Sequence, residues 1–358
     1  MKKLIIAASA AVFMLAACSK TDTTPTPAPV TPVTPVTPPV TPTVTSFIPD
    51  GWKALSPFSE TRFCVVAETV GEKIYAGLGY NSNGFLTVTN DWYEYDVATN
   101  KWTKKQSFPT DARANAISFS INGKIYVGLG TNYNRTDKAQ VYTDFFEYDP
   151  ATDRWTAKAD FPTVGRDQPV FFTIANKGYV GTGNIDPLSA ASVTRDFWEY
   201  DPATNKWSAK ADFPSTPRCR AFGFAIGNKG YLGGGEDLNV SKLSDFYEYD
   251  PATNSWNQKS PISVAVSRSR GFAFIGAGYV VGGLLGTGNT ISNTVYKFDP
   301  IANEWTKTSE IATYDDTYKG RFYPVATVTK TKAYIGLGAH GNSDFVRNQK
   351  DFYEYLPK

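Results

Sequence analysis

The chain has 358 residues, with 36 Lys and Arg against 34 Asp and Glu, one His and three Cys. It carries no basic run that would give nucleic acid a footprint, and three Cys are too few to staple a fold of this size. Aromatic residues reach 15% and Gly numbers 29, against only 2 Met, a mixture that leans towards strands and tight turns.

The first element is an export signal. Lys2 and Lys3 precede the apolar run LIIAASAAVFML, too short to span a membrane as a stable helix. The run closes on LAAC at Cys18 and so resembles the bacterial lipoprotein box, which implies that residues 1–17 are removed and that Cys18 carries a lipid. Ser19 resembles the outer-membrane sorting pattern of Gram-negative lipoproteins. Residues 18–46 continue as a nearly uncharged Pro/Thr tract, an extended stalk with nothing to bury. Removing residues 1–17 takes away Lys2 and Lys3 and leaves 34 basic against 34 acidic side chains, a formally neutral mature chain. The expectation is a monomer on the cell envelope that touches the membrane only through its lipid.

Residues 47–358 repeat themselves. Trp52, Trp102, Trp155, Trp207, Trp256 and Trp305 are spaced by 50, 53, 52, 49 and 49 residues. Two further markers keep step: a Gly pair beginning at Gly77, Gly128, Gly181, Gly233, Gly282 and Gly336, and an aromatic motif such as YEYD at 93–96, FEYD at 146–149 and WEYD at 198–201. Each repeat reads as four strands; in the second they are 113–121, 124–130, 144–149 and 154–159. Four strands in about 50 residues is the unit of a propeller blade. The PATN turns reverse the chain before the outermost strand, and Trp92 or Tyr93, Phe145, Trp198 and Phe246 are expected as wedges between blades. The sixth repeat ends at DFYEYLPK without a Trp strand, whereas DGWKALSPF at 50–58 matches one, so the strand around Trp52 is expected to close the last blade.

The order of these markers resembles the kelch repeat. The resemblance implies an all-β, six-bladed propeller of four-stranded blades. The fifth repeat departs, with NTVYKFD for the usual aromatic motif and a shorter first strand.

In such a meander the loops from strand two to three, and from strand four to the next blade, emerge on one face. That face carries the long loops, Tyr80–Asn90, Thr131–Thr143, Asn184–Arg195, Glu236–Ser244, Leu284–Ser292 and Ala339–Lys350, and is where binding is expected. An Arg recurs at the start of each innermost strand, at Arg62, Arg113, Arg166, Arg218, Arg268 and Arg321, with Arg220 and Arg270 two residues beyond two of them. These guanidiniums are expected to ring the channel mouth. They would either fork onto an anion or pair with Asp91, Asp144, Asp196, Asp245 and Asp351. Tyr80, Tyr133, Tyr314, Asp315, Asp316 and His340 complete the candidate ligand-binding set, and Glu236 is the candidate acid/base.

His340 is the only His, so a multi-His metal site cannot be assembled. The galactose oxidase family, which shares the kelch propeller, binds copper through two His, and that activity is not expected here. No metal or other cofactor is called for. Six-bladed kelch propellers also include the bacterial N-acetylneuraminate epimerases, and the chain is similar to these in architecture and in Arg placement. The resemblance implies mutarotation of an acidic sugar as one alternative. The first expectation is a binding module for a small acidic molecule, glycan or protein segment, and a scaffold subunit of an envelope complex is the other alternative. Cys64 and Cys219 fall in opposite blades and are expected as unpaired, buried thiols.

Overall fold

The computed structural model describes residues 48–81, 87–134, 138–288, 290–313, 319–341 and 346–357. Among them lie six four-stranded antiparallel sheets and no α-helix. The innermost strands are Val66–Val70, Ile117–Ile121, Val170–Ile174, Phe222–Ile226, Arg270–Phe274 and Val325–Val328. Each packs beside the next and the last returns to the first, which makes the chain a β-propeller. The last sheet is completed by Trp52–Ala54, paired with Phe352–Tyr355 in the register Trp52 to Tyr355. An edge that would otherwise template aggregation is thereby covered.

The recurring residues form a clamp between blades. Asn205, left-handed at φ 52°, accepts the Tyr200 hydroxyl at 2.8 Å and the Ala159 N–H of the preceding connection at 2.9 Å. The Ala159 carbonyl accepts from Trp207 Nε1 at 2.9 Å. Tyr, Asn and Trp thus hold the N–H and the carbonyl of one residue, and Tyr249, Asn254 and Trp256 repeat the arrangement on Ala211. Asp153 takes the Asn role between Tyr148 and Gln106. Each bond contributes about 1 kcal/mol net. Aromatic wedges supply the apolar part: Phe145 meets Tyr200 and Trp207 of the next blade at 4.8 and 5.2 Å, and Phe246 meets Phe298 and Trp305 at 4.8 and 4.9 Å. In the third blade the wedge is the fully buried Phe197 rather than Trp198, which is half-buried.

The Gly pairs join the blades near the axis. Gly130, at φ 83°, donates its N–H to the Arg166 carbonyl of the next blade at 2.9 Å, and a Cβ there would sit 2.5 Å from the Ala114 oxygen. No L side chain fits that approach. The same bond from Gly338 to the Arg62 carbonyl, 2.9 Å, closes the circle.

Two strand expectations are corrected. The second repeat's innermost strand begins at Ile117, not at residue 113, because the chain turns through a left-handed Asn115 (φ 57°) before it can pair. The fifth innermost strand, Arg270–Phe274, is as long as its counterpart Val170–Ile174, so no shortening displaces Arg268.

Candidate functional site

Each blade enters the axis through three residues: Arg62-Phe63-Cys64, Arg113-Ala114-Asn115, Arg166-Asp167-Gln168, Arg218-Cys219-Arg220, Val266-Ser267-Arg268 and Arg321-Phe322-Tyr323. The first position is structural. Arg62, Arg113, Arg218 and Arg321 are at most 1% exposed and Arg166 is 3% exposed. Each pairs with the Asp that opens strand three of its own blade: Arg62 with Asp91, Arg113 with Asp144, Arg218 with Asp245 and Arg321 with Asp351 through two-pronged forks, and Arg166 with Asp196 through a single nitrogen while another donates to the Val164 carbonyl at 2.6 Å. Arg218 reaches Asp245 at 2.5 and 2.8 Å and the Gly234 carbonyl at 3.0 Å, with Phe213 packed under the guanidinium at 4.6 Å. These five Arg therefore do not ring the mouth. Their side chains turn away from the axis because a buried guanidinium must find its acceptors inside its own blade.

The third position forms the ring. Cys64, Asn115, Gln168, Arg220, Arg268 and Tyr323 all have φ between 50° and 59°. Such a backbone costs of order 1–3 kcal/mol per non-Gly residue and persists where surrounding structure enforces it, as at ligand sites. Here main-chain bonds pass from blade to blade, Arg268 N to Arg220 O at 2.9 Å and Tyr323 N to Arg268 O at 2.7 Å. The six side chains surround a cavity of about 80 Å³ that Arg270 also lines.

Across this ring runs a polar chain. Gln168 Nε2 donates to Tyr323 Oη at 2.8 Å, joining the third blade to the sixth directly over the axis, and Arg220 Nε donates to Gln168 Oε1 at 2.6 Å. Glu236 lies behind, 2% exposed, and accepts from Arg220, from Ser267 Oγ at 2.6 Å and from Arg268 Nε at 3.2 Å. Burial alone would raise the Glu236 carboxyl, but Arg220 and Arg268 together hold it below the usual value. Glu236 is thus an ionised anchor for two guanidiniums and a poor proton donor. Arg268 uses only Nε within the protein, and Arg220 uses Nε and one terminal nitrogen. The remaining donors of both have no acceptor among the described residues.

Asp167, unremarked in the sequence, is 5% exposed, and burial raises its carboxyl to about 6 against the opposing pull of the Asn115 amide at 2.8 Å and of Arg220. A carboxyl near neutrality beside the ring suits proton transfer better than Glu236 does. The raised value also has a cost for stability. From about pH 4 to about 6 the folded protein holds a proton that the unfolded chain has released, so stability falls as pH rises through that window, by about 3 kcal/mol for a shift of this size. Asp167→Asn is expected to be more stable than the parent at pH 8 and equal to it at pH 4, measured by urea unfolding. The same difference at both pH values would contradict the assignment.

The remaining candidates divide. Tyr80 is 6% exposed and stacks on Phe63 at 5.1 Å, so its ring faces the protein and not a ligand. Tyr133 is half-buried in the Thr131–Asn134 strand. His340 Nδ1 lies 3.2 Å from the Gly320 carbonyl. Tyr314, Asp315 and Asp316 lie outside the described residues. Cys64 and Cys219 are unpaired and buried, and burial pushes the Cys219 thiol up to about 12.

Sequence comparison matches a Kelch motif over residues 279–310, within the blade that departs most from the repeat. Among curated proteins, an N-acetylneuraminate epimerase 1 of Escherichia coli O6:H1 is 30% identical over 40% of this chain and 46% of its own length. An N-acetylneuraminate epimerase of Shigella boydii serotype 4 is 26% identical over 44% of this chain and 49% of its own. The chain spans about half the length of the curated relatives it matches. The solved structure of YjhT superimposes with a TM-score of 0.70 at 22% identity, covering 83% of this chain and 95% of that one, which shows a shared fold.

Proposed function

We propose that this β-propeller with its kelch motif binds an acidic sugar, with the carboxylate on Arg220 and Arg268. The observation that carries the reading is the set of guanidinium donors left without acceptors at the axis. Charge-assisted bonds from such forks are the strong ones. The similarity to N-acetylneuraminate epimerases supports a sugar acid as the ligand. Small-molecule pockets typically run to roughly 300–1,000 Å³, so a cavity of about 80 Å³ admits the carboxylate while the sugar body rests against the mouth loops. Saturation-transfer NMR with a panel of neutral and acidic sugars tests this: signal from acidic sugars alone is expected, and none from any acidic sugar would overturn it.

Asp167 favours a second reading, turnover of the bound sugar between anomers. Opening and reclosing a hemiketal moves protons, and a carboxyl near pH 6 can take and return them. Exchange in freshly dissolved N-acetylneuraminate, followed by proton NMR, should then accelerate with the protein and return to the uncatalysed rate with Asp167→Asn. An unchanged rate with the parent protein removes this reading and leaves binding. The Cys18 box and Ser19 support attachment to the envelope, at the outer membrane of a Gram-negative cell.

A further inference from the structure

Arg270 differs from every other arginine of the axis. It stands two residues beyond Arg268, at the start of the fifth innermost strand, where the register of the other blades gives Val66, Ile117, Val170, Phe222 and Val325, all buried and apolar. Its side chain reaches to the third blade, and its guanidinium carbon lies 4.5 Å from the centre of the Phe171 ring. The fourth blade, between them, presents Gly223 where the third presents Phe171, and so leaves the way clear. Among the described residues Arg270 makes no hydrogen bond and no ion pair. Glu68, the carboxylate that acts on it, stays outside ion-pair distance and accepts instead from Ser118 Oγ at 2.7 Å.

Five N–H donors stacked on an aromatic face, with no acceptor among the described residues, are left to whatever the channel holds, water or an anion. The innermost strands run away from the mouth, so Phe171, Ser118 and Glu68 lie deeper than the Gln168–Tyr323 bridge that crosses the axis. Ser269, which lines the same cavity, has a buried Oγ without a partner. The same cavity of about 80 Å³ runs from Arg220 and Arg268 at the ring to Ser269 and Arg270, and at about 30 Å³ per liquid water its lower part has room for one small ion.

We propose that Arg270 and Ser269 form a separate site for a small monovalent anion of halide type, placed on the axis beneath the Gln168–Tyr323 bridge. The ion completes the hydrogen bonding of Arg270 and lets a cation sit where the other blades are apolar. This site does not rest on the sugar reading. Halide binding without sugar binding would sink only the latter, and the reverse result would sink only this proposal.

The test is chlorine-35 NMR line broadening with sodium chloride as the probe, on the parent protein, Arg270→Met and Arg270→Lys, with melting curves to confirm that each is folded. The expected result is a saturable excess linewidth in the parent that falls at least tenfold in Arg270→Met and persists in part in Arg270→Lys. Crystals soaked in sodium bromide should then show anomalous scattering beside the Arg270 guanidinium. Should Arg270→Met fail to fold, the bromide position in the parent decides alone. No saturable broadening in the folded parent, equal broadening in a folded Arg270→Met, or no bromide at Arg270 would overturn the proposal.

Discussion

Arg218→Val should destabilise the protein by about 3–5 kcal/mol, the usual cost of breaking a buried ion pair from one side. Arg218 is fully buried, and its loss leaves Asp245, with a side chain 23% exposed, facing the interior without its counter-charge. Among the described residues Ser215 Oγ would remain as its only side-chain donor, at 2.6 Å. The double variant Arg218→Val with Asp245→Thr should recover most of that loss. The fifth blade already carries that solution: Val266 stands at the Arg position, Thr294 at the Asp position, and Ile262 where the Phe under the guanidinium belongs. All three members of the constellation changed together, as expected if a lone charge is the costly state and an apolar replacement of the whole pair is tolerated. Urea unfolding of both variants checks this, and a double variant no better than the single would show that the pair is not the source of the cost.

Arg268→Met should weaken binding of an acidic sugar by about 10- to 100-fold, the loss of one charge-assisted hydrogen bond at about 1.5–3 kcal/mol. The fold should hold, because Glu236 keeps Arg220 and Ser267 as partners. Arg268→Lys retains the charge without the planar fork and should fall between the two. Titration calorimetry with N-acetylneuraminate measures all three, and a folded Arg268→Met with undiminished affinity would remove Arg268 from the site.

The architecture was legible in the sequence because each blade solves one packing problem with the same residues. Trp207, Asn205 and Tyr200 recur since every blade must clamp the connection before it. The strand around Trp52 was recognisable because the sixth repeat lacked the same piece. The site was legible only in part, and for a physical reason. Repetition marked Arg62, Arg113, Arg166, Arg218 and Arg321, whose buried ion pairs serve the repeat. The axis-facing column lies two residues on and reads Cys, Asn, Gln, Arg, Arg, Tyr, where only the fourth and fifth blades agree. The middle position, Phe, Ala, Asp, Cys, Ser, Phe, varies as much, so variation beside the recurring Arg did not by itself single this column out. The left-handed backbone that turns these side chains to the axis, and the burial that raises Asp167, arise from blade-to-blade bonds that no single repeat encodes.

The most direct test of the axial site is a paired calorimetric titration of the parent protein with N-acetylneuraminate and with its neutral counterpart N-acetylmannosamine. Guanidiniums awaiting a carboxylate predict saturable binding of the first and none of the second. Equal binding of both sugars, or binding of neither, would contradict the claim that the arginines of the ring select an acidic ligand.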